Sequence, residues 1–197
     1  MDDNLRASDF IEKLFGFALD ERVIELINSH SFLVTFPAGY TVIREGEKAH
    51  CCYLILKGVV RGYYIDKQGN DITKCFCSEN EFFSSEGLRT EGGYSCTIEC
   101  LEDCKCIKFP YKLIHYLSLE DKRLKAFIDQ LYYNEVDKLE NRVKKFMLMS
   151  AEERYNDFCE YYPFLQHRIA LKYIASYIGV RAASLSRIRK NLQETSL

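Results

Sequence analysis

The chain has 197 residues, 47% hydrophobic and 28% charged, with 10 Gly, 3 Pro and a formal net charge of −2. That length suits one large domain or two small ones, and the composition excludes collagen-like, low-complexity and long disordered chains. No run approaches the roughly 18 apolar residues of a membrane span, and the start MDDNLRASDF is acidic and polar, so a cytoplasmic chain with no membrane partner is expected. Nine cysteines without a signal peptide are expected to be reduced thiols.

The charge is unevenly divided. Residues 1–140 carry 17 Lys/Arg against 24 Asp/Glu, whereas 141–197 carry 10 against 5, and 164–197 carry 6 against 1. A basic segment behind an acidic body suits a phosphate-binding module appended to another domain; a solvated helix face is the alternative.

In chain order, residues 9–29 repeat apolar positions at helical spacing and predict two short helices. From Phe32 to Phe109 the runs Cys52–Leu56 and Val59–Ile65 are β-branched and aromatic and are punctuated by glycines, which predicts a β domain. Asp66–Asp71 between two such runs reads as a hairpin turn, with Gly69 at the positive-φ position. From about Glu120, Leu124, Ile128, Leu131, Tyr132, Val136, Leu139, Val143 and Phe146 recur at three- and four-residue steps. One helix of roughly 40 Å is expected there, its apolar stripe forming a homodimer seam or folding back on the β domain. Ser150-Ala151-Glu152-Glu153 reads as a capping box that opens a new helix ending before Pro163.

Residues 169–192 have helix-turn-helix grammar. Ile174, Ala175 and Ile178 form the inner face of a first helix, Gly179 takes a left-handed turn, and Leu185, Ile188 and Leu192 form the inner face of a second. Arg181, Ser184, Ser186, Arg187, Arg189 and Lys190 supply cations and small donors that reach phosphates and base edges of double-stranded DNA. A helical hairpin used only for packing is the alternative.

Leu185-Ser-Arg-Ile-Arg-Lys190, preceded by Tyr173-Ile-Ala-Ser-Tyr-Ile-Gly179, resembles the recognition element of the Crp/Fnr (cyclic AMP receptor protein / fumarate-nitrate regulator) family. Phe36–Glu47, Tyr53–Arg61 and Glu81-Phe-Phe83 are similar to that family's cyclic-nucleotide-binding-like β-roll, and the likeness runs through nearly all of 9–192. It implies an α+β chain: a sensor β-roll (jelly-roll) with N-terminal helices over 1–118, a dimerisation helix over 119–148, and a helix-turn-helix, winged-helix-like domain over 149–197. The implied function is a dimeric bacterial transcription regulator, with RNA polymerase as a further candidate partner and a small molecule as candidate effector.

Two departures qualify the likeness. Cyclic-AMP-binding members follow Glu-Phe-Phe with a Gly-Glu pair for the ribose and, later, an Arg-Ser pair for the cyclic phosphate; here those positions read Ser84-Ser85 and Tyr94-Ser95. A buried phosphate without its guanidinium is costly, so an effector other than cyclic AMP is expected in a pocket of Phe83, Ser84, Ser85, Tyr94 and Ser95, with Arg89 as a substitute cation. In the recognition helix, Ala182 and Ala183 stand where relatives often carry a base-reading Glu or Arg. Only five residues follow Leu192, little for a wing strand.

The cysteines include Cys75-x-Cys77 and Cys104-x-Cys106 but no Cys-x-x-Cys, and the family's N-terminal iron–sulfur cysteine group is missing. Buried small hydrophobes are the default, with Cys51-Cys52 beside His50 as the expected reactive spot. The four histidines lack ligand spacing, so no metal site, cofactor or catalytic residue is assigned and no enzyme is expected. The rival reading is a ligand-binding or thiol-redox sensing module that acts through protein contacts instead of DNA.

Overall fold

The computed structural model describes residues 6–48, 50–86 and 93–195. Two helices, α1 (Ala7–Phe15) and α2 (Glu21–His30), precede eight strands: β1 (Phe32–Phe36), β2 (Thr41–Ile43), β3 (Cys51–Lys57), β4 (Val60–Ile65), β5 (Asp71–Cys77), β6 (Phe82–Phe83), β7 (Thr97–Cys100) and β8 (Cys104–Pro110). Helices α3 (Tyr111–Glu120), α4 (Lys122–Leu148), α5 (Ala151–Tyr161), α6 (Leu171–Tyr177) and α7 (Ala182–Thr195) follow. The architecture is the expected α+β class. The helix α3 is an addition to the elements expected from the sequence; it starts directly behind Pro110, which bounds β8, and buries Leu113 and Leu117.

The strands form two four-stranded sheets, ordered β1-β8-β3-β6 and β2-β7-β4-β5. In the first, β8 is central and antiparallel to both β1 and β3, in a register that sets Leu54 opposite Ile107. Side chains alternate across a strand. Cys52 and Leu54 of β3, with Ile107 and Phe109 of β8, therefore meet Ile11, Val23, Ile27, Leu113, Leu117 and Leu124 of the helices. Tyr53 and Ile55, with Cys104 and Cys106, face inward against Val60, Ile98 and Cys100 of the second sheet. Burial on both faces is why β3 reads as an unbroken apolar run, and each large side chain so buried contributes about 1.5–3 kcal/mol.

The chain divides into two compact units. One takes the residues up to Gly62 together with Phe76–Leu131; the other takes Tyr63–Cys75 together with the chain from Tyr132 onward. The β4–β5 hairpin thus groups with the C-terminal helices. Its turn is closed by Asp66, whose carboxylate accepts from the Gln68 and Asn70 backbone N–H groups at 2.8 Å each, with Gly69 at φ +83°.

Within the first unit, Asp121 starts α4. Its carboxylate accepts from the Arg123 backbone N–H at 2.7 Å and from the Arg123 guanidinium at 2.7 Å. Those bonds hold the Asp121 carboxyl below the ordinary carboxylate range. A depressed folded-state pKa contributes stability that is present above the unfolded value, near 3.9 for Asp, and is lost as pH falls through the folded value. Asp121→Asn should flatten that acid-side loss and lower stability at neutral pH, as read from urea unfolding at a series of pH values. An unchanged acid limb would show that Asp121 does not carry it.

Candidate functional site

The C-terminal unit builds the helix-turn-helix. Ser150 caps α5 through the expected box: its hydroxyl accepts from the Glu153 N–H at 3.2 Å, and the Glu153 carboxylate accepts from the Ser150 N–H at 2.7 Å. Phe158 of α5 packs on Tyr162 and Tyr177, with ring centroids at 5.3 and 5.6 Å. Ile174, Ala175, Ile178 and Leu185 are buried where α6 meets α7, and Ile188 and Leu192 are half-buried. Gly179 lies at φ +74°, and a Cβ there would stand 2.5 Å from Phe146 Cε1. Both the backbone conformation and the ring therefore require glycine at the turn.

The predicted DNA-reading residues fall into two sets. Arg181, Ser184, Arg187 and Lys190 are exposed, and Lys190 pairs loosely with Glu194 at 3.7 Å. Ser186 is exposed as well, but its hydroxyl donates to Ala182 O at 3.1 Å within the helix. Arg189 is exposed as well, and follows the buried Leu185 by four residues, beside the inner face of the helix. Arg187 and Lys190 thus lead the outward cationic face of α7.

Sequence reasoning missed Arg142. From α4 its guanidinium donates to Thr73 O at 2.9 Å and Tyr177 O at 3.1 Å, donates also to Lys74 O, and lies 4.4 Å from the Tyr177 ring. Nearby, the Thr73 N–H donates to Ser176 Oγ at 2.9 Å, and that hydroxyl donates to Asp71 O at 3.2 Å. The edge strand β5 thereby continues its hydrogen bonding onto α6, the first helix of the helix-turn-helix. No spacing in the sequence links residues 71–74, 142 and 176–177, so no local signal could have found this clamp.

The effector cassette in the first unit differs from the expected pocket. Phe83 is buried in a stack on Tyr53, centroids 4.9 Å apart, and Tyr94 is buried in the same core. Ser84, at φ +64°, donates its hydroxyl to Cys51 O at 2.8 Å, while Tyr111 donates to Ser84 O. Ser84 is therefore turned onto the β3 backbone and not toward a ligand. Ser85 is half-buried, and Ser95 donates to the Glu86 carboxylate at 2.7 Å. Glu86 was missed because it stands one position beyond the cassette's usual carboxylate. Arg89 lies outside the described residues.

The expected dimer stripe also divides. Leu124 is 3% exposed, inside the core against α1–α3, so it is a core residue of its own unit. Ile128, Leu131 and Tyr132 are half-buried, whereas Val136 and Leu139 are exposed, Leu139 at 49%. Tyr133, Val143 and Met147 extend that exposed apolar face. At the Cys51-Cys52 pair, the expected reactive spot, Cys52 is buried and Cys51 half-buried, and burial raises the pKa of both thiols, which disfavours the thiolate. Among the described residues no group of three or more His, Cys, Asp or Glu could hold a metal ion, and no helix is long and apolar enough to cross a membrane.

Residues 33–121 match the cyclic nucleotide-binding domain. The chain is similar to the cAMP-activated global transcriptional regulator CRP of Pasteurella multocida, at 30% identity over 95 residues covering 48% of this chain and 46% of that protein. It is similar to the CRP of Salmonella typhimurium at 23% identity over 197 residues, covering 93% of each. The solved structure of the c-di-GMP responsive global regulator CLP of Xanthomonas campestris shares the fold at TM-score 0.74 and 17% identity, covering 90% of this chain and 94% of that one. The likeness to CRP extends from the β-roll through the C-terminal helices, and the chain has a cyclic nucleotide-binding domain and the fold of the Crp/Fnr regulators, which supports a regulator of that type.

Proposed function

We propose that this regulator binds double-stranded DNA as a homodimer, reads sequence with α7, and answers to a small-molecule effector other than cyclic AMP. The observation that carries the reading is the outward face of α7, where Ser184, Arg187 and Lys190 stand exposed on a helix held by a buried, glycine-turned crossing. An Arg fork pairs with guanine O6 and N7, whereas a Lys meets phosphate as a point charge. RNA polymerase is the further protein partner this role would involve.

Selection from random duplexes should enrich one motif, with binding that falls steeply with salt. Arg187→Ala should cost about 1–3 kcal/mol on the selected site and relax one base position. Lys190→Ala should weaken all duplexes alike and lower the salt slope by about one. Absence of an enriched motif would overturn sequence reading, and equal loss on random and selected DNA in Arg187→Ala would overturn the base contact.

The second copy is proposed to cover the exposed stripe of α4 around Val136 and Leu139. Leu139→Asp would place a carboxylate in that seam, where burying an unpaired charge costs several kcal/mol. Sedimentation velocity should show dimers for the unmodified chain and monomers for the variant. A monomeric unmodified chain at micromolar concentration would sink the seam.

For the effector, the support is chemical. At the cassette, Glu86 presents a carboxylate bonded to Ser95, and Tyr94 stands where cyclic-AMP binders carry arginine. A cyclic phosphate there would lack the guanidinium that cyclic-AMP binders supply at that position. That the related CLP is described as c-di-GMP responsive supports an effector other than cyclic AMP on this fold. Cyclic AMP at about 1 mM should leave the melting temperature unchanged, since a ligand stabilises only above its dissociation constant. A rise of several degrees would overturn this part of the reading.

A further inference from the structure

The last carbonyls of α6 lie where the chain turns into α7, and two of them are met from other helices. Ile174 O and Ala175 O accept from the Ile178 and Val180 N–H groups at 3.0 and 2.9 Å, and Ser176 O from the Gly179 N–H at 3.2 Å. Tyr177 O instead accepts from the Arg142 guanidinium at 3.1 Å, and Ile178 O from that of Arg154 at 2.9 Å. A helix C-terminus carries partial negative charge, so the two cations brought in from α4 and α5 stabilise this turn. Both guanidinia also meet one ring: the Phe146 centroid lies 5.4 Å from that of Arg142 and 4.9 Å from that of Arg154. The same ring stands where a Cβ on Gly179 would be.

The turn is fastened to a strand as well. β5 is an edge strand, and an edge leaves backbone groups without a strand to pair with. Here side chains of α4 and α6 take them up. Thr73, fully buried, donates its N–H to Ser176 Oγ at 2.9 Å and accepts from Arg142 Nη2 at 2.9 Å. Ser176 Oγ donates to Asp71 O at 3.2 Å, and Arg142 Nη1 donates to Lys74 O. One guanidinium thus binds the carbonyls of residues 73, 74 and 177 together. A lysine ammonium is a point donor on a flexible stem and does not reproduce that fork. Three residues beyond Thr73, at Phe76, β5 continues into the first unit.

We infer that Arg142 is a positioning residue for sequence reading: with Ser176 it fastens the β4–β5 hairpin to the α6–α7 turn, so that α7 takes its orientation from the strand. This rests on the proposal that α7 reads DNA, and it adds the part that aims the helix. Arg142 is itself no DNA contact, since its guanidinium is engaged by three carbonyls and lies 4.4 Å from the Tyr177 ring. Those contacts stay with Arg187 and Lys190. Base edges are read by hydrogen bonds that need the helix held in one orientation, whereas attraction to phosphates tolerates a tilt. Loosening the clamp therefore removes selectivity before it removes general affinity.

The test uses the full chain, first without DNA and then with the duplex it selects, well below the melting temperature of each variant. Ser176→Ala removes one hydroxyl and Arg142→Lys keeps the charge, so neither alters the cationic face of α7. In the free chain, Ser176→Ala should speed amide deuterium exchange about tenfold over residues 71–75 and 176–181 together. Acceleration confined to one of these segments, or none, would overturn the clamp. On DNA, both variants should lose about tenfold on the selected duplex while keeping their affinity for random duplex and its salt slope. Equal loss on both duplexes would overturn the positioning role, and so would undiminished selectivity, which leaves the DNA reading itself standing. An unmodified chain that enriches no motif would overturn the reading and, with it, this role of Arg142. If Arg142→Lys does not fold, Ser176→Ala decides alone.

Discussion

Burial of β3 and β8 on both faces is the constraint on which the sensor unit depends. Cys52, Leu54, Ile107 and Phe109 anchor the flanking helices, while Tyr53, Ile55, Cys104 and Cys106 close the roll from within. A residue slipped by one position would exchange the two sets and lose both cores together. The same double role leaves no free inward position for a ligand-binding group on these strands. The effector proposed above would be met from the rim, where Ser85, Glu86 and Ser95 are half-buried.

One charge inside the roll shows how such burial is managed. Arg61 of β4 is 1% exposed and meets Glu99 of β7 at 2.8 Å, bonding it through Nε and Nη2 to the same carboxylate oxygen. Removing Glu99 would take a charged partner from a buried guanidinium, and breaking a buried pair costs several kcal/mol. The pair also holds β7 and β4 together in the second sheet.

In the C-terminal unit a different interaction dominates. The guanidinium of Arg142 joins carbonyls from β5 and from the end of α6, and hydrogen bonds from a charged donor contribute about 1.5–3 kcal/mol each. Arg154 does similar work, donating to Ile178 O at 2.9 Å and Met149 O at 2.6 Å with its guanidinium 4.9 Å from the Phe146 ring. Two of the ten Lys/Arg residues in 141–197 are thus committed to the hinge of the helix-turn-helix rather than to phosphate. The basic character of the segment overstates its charge toward DNA.

What the sequence determined by itself is everything governed by neighbours within a turn or a hairpin. The change of period from helix to strand and back, the Ser150–Glu153 box, the Asp66–Gly69 turn and the Gly179 crossing were legible because each is fixed by residues a few positions apart. Tertiary structure alone decided which side chains of a legible element are available. Leu124 shares the spacing of Leu139 but meets α1–α3, and Ser84 stands in the cassette but bonds the β3 backbone. The physical reason is the same in each case: periodicity assigns a side chain to a face, while its partner comes from a distant segment whose approach no local spacing encodes.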